Sequence, residues 1–317
     1  MNYFKISLLF IFISIYAFGQ DLSNDQIYLA DPTIFKDNNT YYLYGTKSDP
    51  RIDGEGFLVY TSKDLKTWEG PKGVQNGYAL KKGEAYGTKG FWAPQIFKYQ
   101  GKYYMAYTAN ENIAIATSNS PLGPFKNNME AIKAPVKQID PFIFFDNGKA
   151  YMYHVRLQNG NRIFVAEMNK NLNQIKPETL KECINAKEKW EDTQNVEWPV
   201  AEGPTVFKKK KLYYLIYSAN DFRNPDYAVG YATSKTPIGP WKKATNNPII
   251  SKNNIGSLGT GHGDIVIDNS GQTYYVLHTH NSNNKVHPRK TGIVKLNTQN
   301  SKLHIEQDSF NWIKVMH

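Results

Sequence analysis

The chain has 317 residues, of which 40% are hydrophobic and 14% aromatic, and this composition excludes an intrinsically disordered protein. Its formal net charge of +10 would suit a nucleic-acid partner, but the export signal at the start of the chain argues against one. The single cysteine, Cys183, excludes an internal disulfide, so stability must come from a large core and regular strand pairing.

The first twenty residues predict a secretory signal. Lys5 precedes an apolar run that ends at Phe18, and the Ala-Phe-Gly sequence at 17–19 has the small-x-small spacing that signal peptidases cut. We therefore predict a signal peptide over residues 1–19 and export to the periplasm or the extracellular space. A retained membrane anchor is the alternative, but the run is short for a span of ~20 apolar residues, so we predict no membrane span.

Five segments of the remaining chain share one layout: a short apolar strand, a polar turn and a tyrosine-rich strand. A third strand with alternating apolar residues follows each segment. The segments begin at Ala30, Ala93, Asp140, Glu202 and His262, and the third strands begin at Phe57, Ile113, Arg162, Ala228 and Thr291.

The openings of these repeats lie 47 to 63 residues apart, which is room for a four-stranded unit with loops. Four-stranded sheets repeated around an axis form a β-propeller. We predict an all-β fold, a five-bladed β-propeller, as a single domain over residues 20–317, with the segment from Ser309 helping to close the ring. A β-sandwich is the alternative, but it would not explain the proline or small residue shared by four of the five openings.

Three carboxylates fall at the openings of the repeats. Asp31, Asp140 and Glu202 stand just before an opening proline or glycine-proline, whereas the second copy has Ala93 and the fifth has a position near Gly263. Because the first strand of each blade lines the central channel, we expect the three acids to meet at one mouth. Separated carboxylates with different pKa values are what glycosidic bond hydrolysis needs. Turn chemistry is the alternative for an aspartate before proline, but it explains Glu202 poorly.

The order of these openings resembles glycoside hydrolase family 43. The resemblance covers nearly all of the chain after the signal, and its motifs are Ala30-Asp31-Pro32, Trp92-Ala93-Pro94, Asp140-Pro141 and Glu202-Gly203-Pro204. It implies a five-bladed propeller that acts on arabinose- and xylose-containing glycans of plant type. It implies Asp31 as general base, Glu202 as general acid, and Asp140 as a third acid that orients Glu202 and raises its pKa. It further implies inversion, with the base and acid carboxylates roughly 6.5–9.5 Å apart.

The same resemblance implies three substrate-binding residues. Trp92 matches a position that lines the sugar pocket, His262 matches a histidine that touches the sugar or, through water, a channel cation, and Arg289 resembles an arginine that contacts substrate near the acid. Trp198, beside the fourth opening, could also stack against the apolar face of a sugar ring. Packing in the core or on the surface is the alternative for all four residues.

Inversion by carboxylates requires no cofactor, and the resemblance allows a structural calcium or sodium ion in the channel. We place His154, His278 and His280 on second strands, away from the channel wall, and their spacing does not support catalytic zinc.

Together these observations predict an exported, monomeric, inverting glycoside hydrolase that releases terminal α-L-arabinofuranose or β-D-xylose. Three long segments between blades, 47–56, 70–90 and 185–200, favour a groove closed at one end and hence exo action. An endo-acting arabinanase is one alternative. A non-catalytic carbohydrate-binding propeller is another, although such a protein would not need all three acids.

Overall fold

The computed structural model of the protein describes residues 22–316, which fold almost entirely into β-strands. The sheets form a five-bladed β-propeller, which confirms the fold predicted from the repeats. In this range the helical segments are a 3₁₀ turn, Pro177–Thr179, and a four-residue helix, α1 (Lys252–Ile255). No helix in the described part is long and apolar enough to cross a membrane. The predicted signal peptide lies outside the described residues.

The first blade departs slightly from the predicted layout. The sequence predicts one third strand from Phe57 to Ser62, but this stretch is divided at Val59 because its two halves pair with different partners. The strands of this region are β1 (Leu29–Asp37), β2 (Thr40–Lys47), β3 (Gly56–Leu58), β4 (Tyr60–Ser62), β5 (Trp68–Glu69) and β6 (Tyr78–Lys81). Strands β1, β2, β4 and β5 form blade one, and β3 pairs with β6 beside it.

The remaining four blades follow the repeat in chain order. Blade two contains β7 (Trp92–Tyr99), β8 (Lys102–Ala109) and β9 (Asn112–Ser118). Blade three contains β10 (Gln138–Asp146), β11 (Lys149–Leu157), β12 (Asn161–Glu167) and β13 (Lys181–Ile184). Blade four contains β14 (Ala201–Lys209), β15 (Leu212–Ala219), β16 (Ala228–Ser234) and β17 (Lys242–Lys243). Blade five contains β18 (Gly261–Ile267), β19 (Thr273–Thr279), β20 (Lys290–Gln299) and β21 (Lys302–Ile305), and β22 (Asn311–Trp312) pairs with β20.

The hydrophobic core lies between neighbouring blades, because each sheet is buried on both faces. In β11, Tyr153 and Val155 pack toward blade four, whereas Met152 packs toward blade two. Successive side chains of a strand point to opposite faces, so one strand contributes to two cores. The repeated apolar and tyrosine-rich strands of the sequence are thus explained by burial on two sides.

The C-terminal segment joins the last blade to the first. Asn311 pairs with Ile293 in blade five, and then Lys314 and Val315 form bridges to Gln26 and Trp68 at the edge of blade one. The predicted segment from Ser309 therefore links both ends of the ring.

Every blade has a bulge near the start of its first strand, and the bulges form a ring around the channel. At each bulge one residue has a positive φ angle: Asp31 (46°), Ala93 (46°), Asp140 (55°), Gly203 (61°) and His262 (37°). For a residue other than glycine this conformation costs about 1–3 kcal/mol. The surrounding structure must therefore hold these residues in place.

Hydrogen bonds between blades hold the ring of bulges. At four of the five junctions, the bulge N–H donates to a side chain on the second strand of the preceding blade. These pairs are Asp31 to His278 Nδ1 (3.1 Å), Ala93 to Thr46 Oγ1 (2.9 Å), Asp140 to Thr108 Oγ1 (2.9 Å) and His262 to Ser218 Oγ (2.7 Å). The junction between blades three and four differs, because Val155 occupies the equivalent position and cannot accept a hydrogen bond. There the Gly203 N–H donates to Asp140 Oδ2 at 3.3 Å.

Candidate active site

A pocket of about 480 Å³ opens at the mouth of the channel. The structure brings all six predicted site residues to its wall: Asp31, Trp92, Asp140, Glu202, His262 and Arg289. The three acids come from blades one, three and four, as the repeat predicts. Propeller geometry thus places residues that are far apart in the chain in one cavity.

The register of the strands corrects one detail of the predicted alignment. Glu202 does not occupy the same position as Asp31 and Asp140, because the bulge residue of blade four is Gly203. Glu202 stands one residue earlier and is equivalent to Trp92 of blade two. In blade five the equivalent bulge residue is His262, next to the predicted position near Gly263. The general acid predicted from the resemblance is therefore displaced from the bulge ring that carries the other two carboxylates.

Asp31 lies among positive and polar groups. Its carboxylate accepts hydrogen bonds from Arg289 (3.2 Å) and Thr46 (2.6 Å), and the Nδ1 atoms of His278 and His262 lie 3.3 and 3.4 Å away. Burial alone would raise the pKa of Asp31, but the Arg289 charge and these neighbours outweigh it and lower the pKa well below its usual value. Asp31 is therefore ionised at neutral pH.

Glu202 has a different environment. Its Oε1 accepts a hydrogen bond from the Tyr227 hydroxyl (2.8 Å), and its Oε2 accepts one from the Asn161 amide (3.1 Å). No cationic side chain in the described residues forms an ion pair with it. Burial raises the pKa of Glu202 to about 7, and repulsion from Asp31 adds to this effect against the opposing hydrogen bonds. Glu202 can therefore hold a proton near neutral pH.

Asp140 is the third buried carboxyl group. Beyond the Gly203 N–H, its Oδ2 lies 3.8 Å from His262 Nδ1. Burial raises the pKa of Asp140, and repulsion from Glu202 and Asp31 raises it further. Because Asp140 and Glu202 repel each other's charge, the two groups together retain a proton over a wider pH range than an isolated carboxyl group.

The wall of the pocket combines aromatic rings with the buried guanidinium of Arg289. Trp92 is 38% exposed, and the Arg289 guanidinium lies over the Phe222 ring at 4.4 Å. Phe222 in turn packs edge-on against His287. Flat apolar surfaces beside hydrogen-bond donors suit a sugar ring, which has apolar faces and a polar rim.

Sequence reasoning missed several members of the site and misplaced one. His278 was expected away from the channel wall, but it is fully buried against Asp31, with its Nε2 3.2 Å from Arg289. Asn161 and Tyr227, which bind Glu202, were not identified because they lie on or next to third strands. An alignment of the second strands would have found His278, since it occupies the position of Thr46 and Thr108.

Below the pocket the channel narrows to a cavity of about 20 Å³, which is room for about one water molecule. Asp264 lines it and is bonded to Thr33 (2.6 Å) and to the Ile265 N–H (2.7 Å); burial raises the pKa of Asp264 to about 6. In residues 22–316, no group of three or more His, Cys, Asp or Glu side chains is placed to hold a metal ion.

The chain is similar to known proteins of one glycoside hydrolase family. The family model described as glycosyl hydrolases family 43 matches residues 26–302. A crystal structure described as an endo-1,4-beta-xylanase from Bacteroides thetaiotaomicron is 40% identical, with a TM-score of 0.85 over 93% of this chain and 99% of that one. A thermostable family-43 glycoside hydrolase is 35% identical, with a TM-score of 0.80 over 89% of this chain and 94% of that one.

Among curated proteins, a xylosidase/arabinosidase from Butyrivibrio fibrisolvens is 27% identical over 79% of this chain. The alignment spans 49% of that longer protein, so this chain covers about half of its length.

Proposed function

Because the chain belongs to glycosyl hydrolases family 43, we propose that it is an exported, inverting glycosidase that removes terminal pentose units from plant-type glycans. The pentose is α-L-arabinofuranose or β-D-xylose, and the enzyme works as a monomer without a required cofactor. The names of its relatives support this substrate class, since they include a xylosidase/arabinosidase and a non-reducing-end α-L-arabinofuranosidase from Bacteroides ovatus.

The observation that carries the proposal is the contrast between two buried carboxyl groups in one pocket. Asp31 has a lowered pKa and is ready to accept a proton, whereas Glu202 has a pKa raised to about 7 and is ready to give one. A base and an acid separated in this way are what an inverting glycosidase requires. A carbohydrate-binding propeller would have no use for this contrast.

In the proposed mechanism, Asp31 removes a proton from a water molecule as that water attacks the anomeric carbon of the terminal sugar. The bond from the anomeric carbon to the glycosidic oxygen breaks, and Glu202 gives its proton to that oxygen as the rest of the glycan departs. Asp140 helps to keep Glu202 protonated. Solvent afterwards takes the proton from Asp31 and returns one to Glu202, so the products are a free pentose and a shortened glycan.

Arg289 and Thr46 keep Asp31 ionised and fix its orientation toward the attacking water. Trp92 and Phe222 provide the apolar surfaces against which the terminal sugar packs. Inversion further requires a separation of roughly 6.5–9.5 Å between the carboxyl groups of Asp31 and Glu202, and this distance remains a prediction.

An endo-acting enzyme is the second candidate. The observation in its favour is the 40% identity to a structure described as an endo-1,4-beta-xylanase. Exo action is supported by Lys47 at the end of β2 and by Ser48 after it, because these residues of the 47–56 segment line the pocket.

The first test is hydrolysis by residues 20–317 of aryl α-L-arabinofuranoside and aryl β-D-xyloside, alongside Glu202→Ala. We expect the wild type to turn over one of the two aryl glycosides, and we expect Glu202→Ala to lose activity strongly on the matching pentose disaccharide, whose leaving group needs a proton. Proton NMR of the first-formed sugar should show the inverted anomer, and end-labelled arabinan and xylan oligomers should lose single pentoses. Disaccharide turnover that survives the loss of Glu202 would contradict its role as the acid, and internal cleavage of the oligomers would favour the endo-acting alternative.

A further inference from the structure

Trp198 lies just outside the pocket and is unusually exposed for its size. Its side chain is 48% exposed, and its neighbour Val196 is 46% exposed, whereas Trp68 in the core is fully buried. Both exposed residues belong to the 185–200 loop, the segment between β13 and β14. A large apolar surface left in contact with water next to a pocket suggests a contact with a ligand.

The 185–200 loop is held firmly against blade four. The fully buried Glu191 carboxylate accepts hydrogen bonds from the Tyr217 hydroxyl, from Lys243 and from two N–H groups of the loop itself. The Thr193 N–H donates to Asn220 Oδ1 at 2.9 Å. Trp198 is therefore presented by an ordered support, which reduces the entropy lost when a ligand packs on it.

On its other side Trp198 is connected to the proposed acid through one residue. The indole Nε1–H donates to Asn161 Oδ1 at 2.9 Å, and Asn161 Nδ2 donates to Glu202 Oε2 at 3.1 Å. An indole can only donate a hydrogen bond, so Trp198 fixes the orientation of the Asn161 amide. Asn161 consequently always presents its NH₂ group to Glu202.

The position of Glu202 tells which part of a substrate would reach Trp198. The acid must approach the glycosidic oxygen, so the departing portion of the glycan lies on the outer side of Glu202, away from Asp31. Asn161 lines the pocket on this side, and Trp198 lies behind it in contact with solvent.

Building on the proposed function, we propose that Trp198 forms the binding site for the first sugar of the departing glycan and, through Asn161, positions the acid. The sugar packs its apolar face on the indole, as sugar rings do on aromatic side chains. One residue then serves both recognition of a carbohydrate leaving group and orientation of Glu202.

Two variants separate these two contributions. Trp198→Ala removes the ring system and the N–H, whereas Trp198→Phe keeps an aromatic ring, although a smaller one, and removes the N–H. Ile267→Ala is the control, because Ile267 is 51% exposed and lies at the far end of β18 from His262. Kinetics are measured with xylobiose and arabinobiose, and the inhibition constant is measured for the free pentose, which fills only the pocket.

For Trp198→Ala we expect the KM of the disaccharide to rise roughly threefold to tenfold, with an unchanged inhibition constant for the free pentose. For Trp198→Phe we expect a KM within about twofold of the wild type, but a basic limb of the pH profile that moves to higher pH, because Asn161 no longer always donates to Glu202. A disaccharide KM in Trp198→Ala equal to that of Ile267→Ala would overturn the proposal, as would an unshifted pH profile in Trp198→Phe.

Calorimetric binding of xylotriose and arabinotriose distinguishes this inference from the proposed function. If the wild type binds a trisaccharide and Trp198→Ala binds it several-fold more weakly, the subsite stands even without turnover, and only the proposed hydrolysis fails. If the wild type hydrolyses the trisaccharides and both proteins bind them equally, the proposed function stands and the subsite is refuted.

Discussion

Two sides of one channel mouth carry carboxyl groups in opposite electrostatic environments. At the junction of blades five and one, Asp31 is surrounded by Arg289, His278 and Thr46. At the junction of blades three and four, Asp140 and Glu202 are bonded only by neutral donors and repel each other. The repeat places the acids at the mouth, and the side chains that surround them on other strands decide whether each one is charged.

The largest expected effect is the loss of activity when either the ionised base or the protonated acid is replaced. Asp31→Asn abolishes the base and Glu202→Gln abolishes the acid, and each should lower kcat/KM on pentose disaccharides by roughly 10²–10⁴-fold. With an aryl glycoside, Glu202→Gln should lose much less activity because the leaving group needs no proton, whereas Asp31→Asn should lose as much as before. Equal losses on both substrates in Glu202→Gln would contradict its role as the acid.

The next largest effect is a loss of folding stability when the cation beside Asp31 is removed. Arg289→Met leaves a buried carboxylate without its cation and should lower the free energy of unfolding by about 3 kcal/mol at pH 7. A lowered pKa stabilises the fold above the unfolded pKa of Asp31, and this contribution is lost as pH falls, so the difference should shrink toward pH 3. The measurement is thermal or denaturant unfolding at both pH values.

The matched control is Arg223→Met, because Arg223 forms an ion pair with Asp221 at the surface. Exposed pairs contribute about 0–1 kcal/mol, so this variant should unfold nearly like the wild type. A similar destabilisation in both variants would mean that the buried pair of Asp31 and Arg289 stabilises the fold no more than a surface ion pair does.

A smaller effect on the free energy of unfolding, with the opposite sign, is expected when Glu202 is replaced. A raised pKa means that folding favours the protonated acid, so Glu202 reduces stability as pH rises from its ordinary value of 4.5 to about 7. Glu202→Gln cannot ionise and should therefore be more stable than the wild type by about 1–3 kcal/mol at pH 8. At pH 4 the two proteins should unfold alike. The exposed Glu178 gives the control, since Glu178→Gln should change stability little at either pH.

The smallest effect tests the repulsion between the paired acids. Asp140→Asn removes the neighbouring acid that shares a proton with Glu202, so the last proton of the pair should leave at a lower pH and the basic limb of the pH profile should move down by about one unit. The measurement is kcat/KM against pH. An unmoved limb would show that burial alone keeps Glu202 protonated.

The fold could be predicted almost completely from the sequence, because burial on both faces of each sheet requires strands that are rich in apolar and aromatic residues. The repeated apolar and tyrosine-rich strands revealed five blades, and prolines marked the starts of four of them. The division at Val59 could not be foreseen, since it depends on which strands the two halves meet.

The carboxylates of the site could be predicted because they stand at the openings of the repeats, but their hydrogen-bond partners could not. Tyr227 and Asn161 reach Glu202 from outside the first strands, where the repeat gives no equivalent positions to compare. The one-residue offset of Glu202 depends on the bulge at Gly203, which an alignment by prolines does not reveal. Val155 breaks the ring of hydrogen bonds at the junction where the acid pair lies, and this irregularity becomes visible only once the strands are placed in register.

The ring of bulges has a consequence for protein engineering. Its five left-handed positions face a common centre, yet Ala93 carries only a methyl group and Gly203 carries no side chain. A side chain at position 203 would collide with the His262 ring, which an added Cβ would approach to 2.7 Å. Position 93 already holds an L-residue in the required conformation, so a new functional group placed there would add little further backbone strain. Within this ring, Ala93 is thus a better position than Gly203 at which to introduce another reactive group.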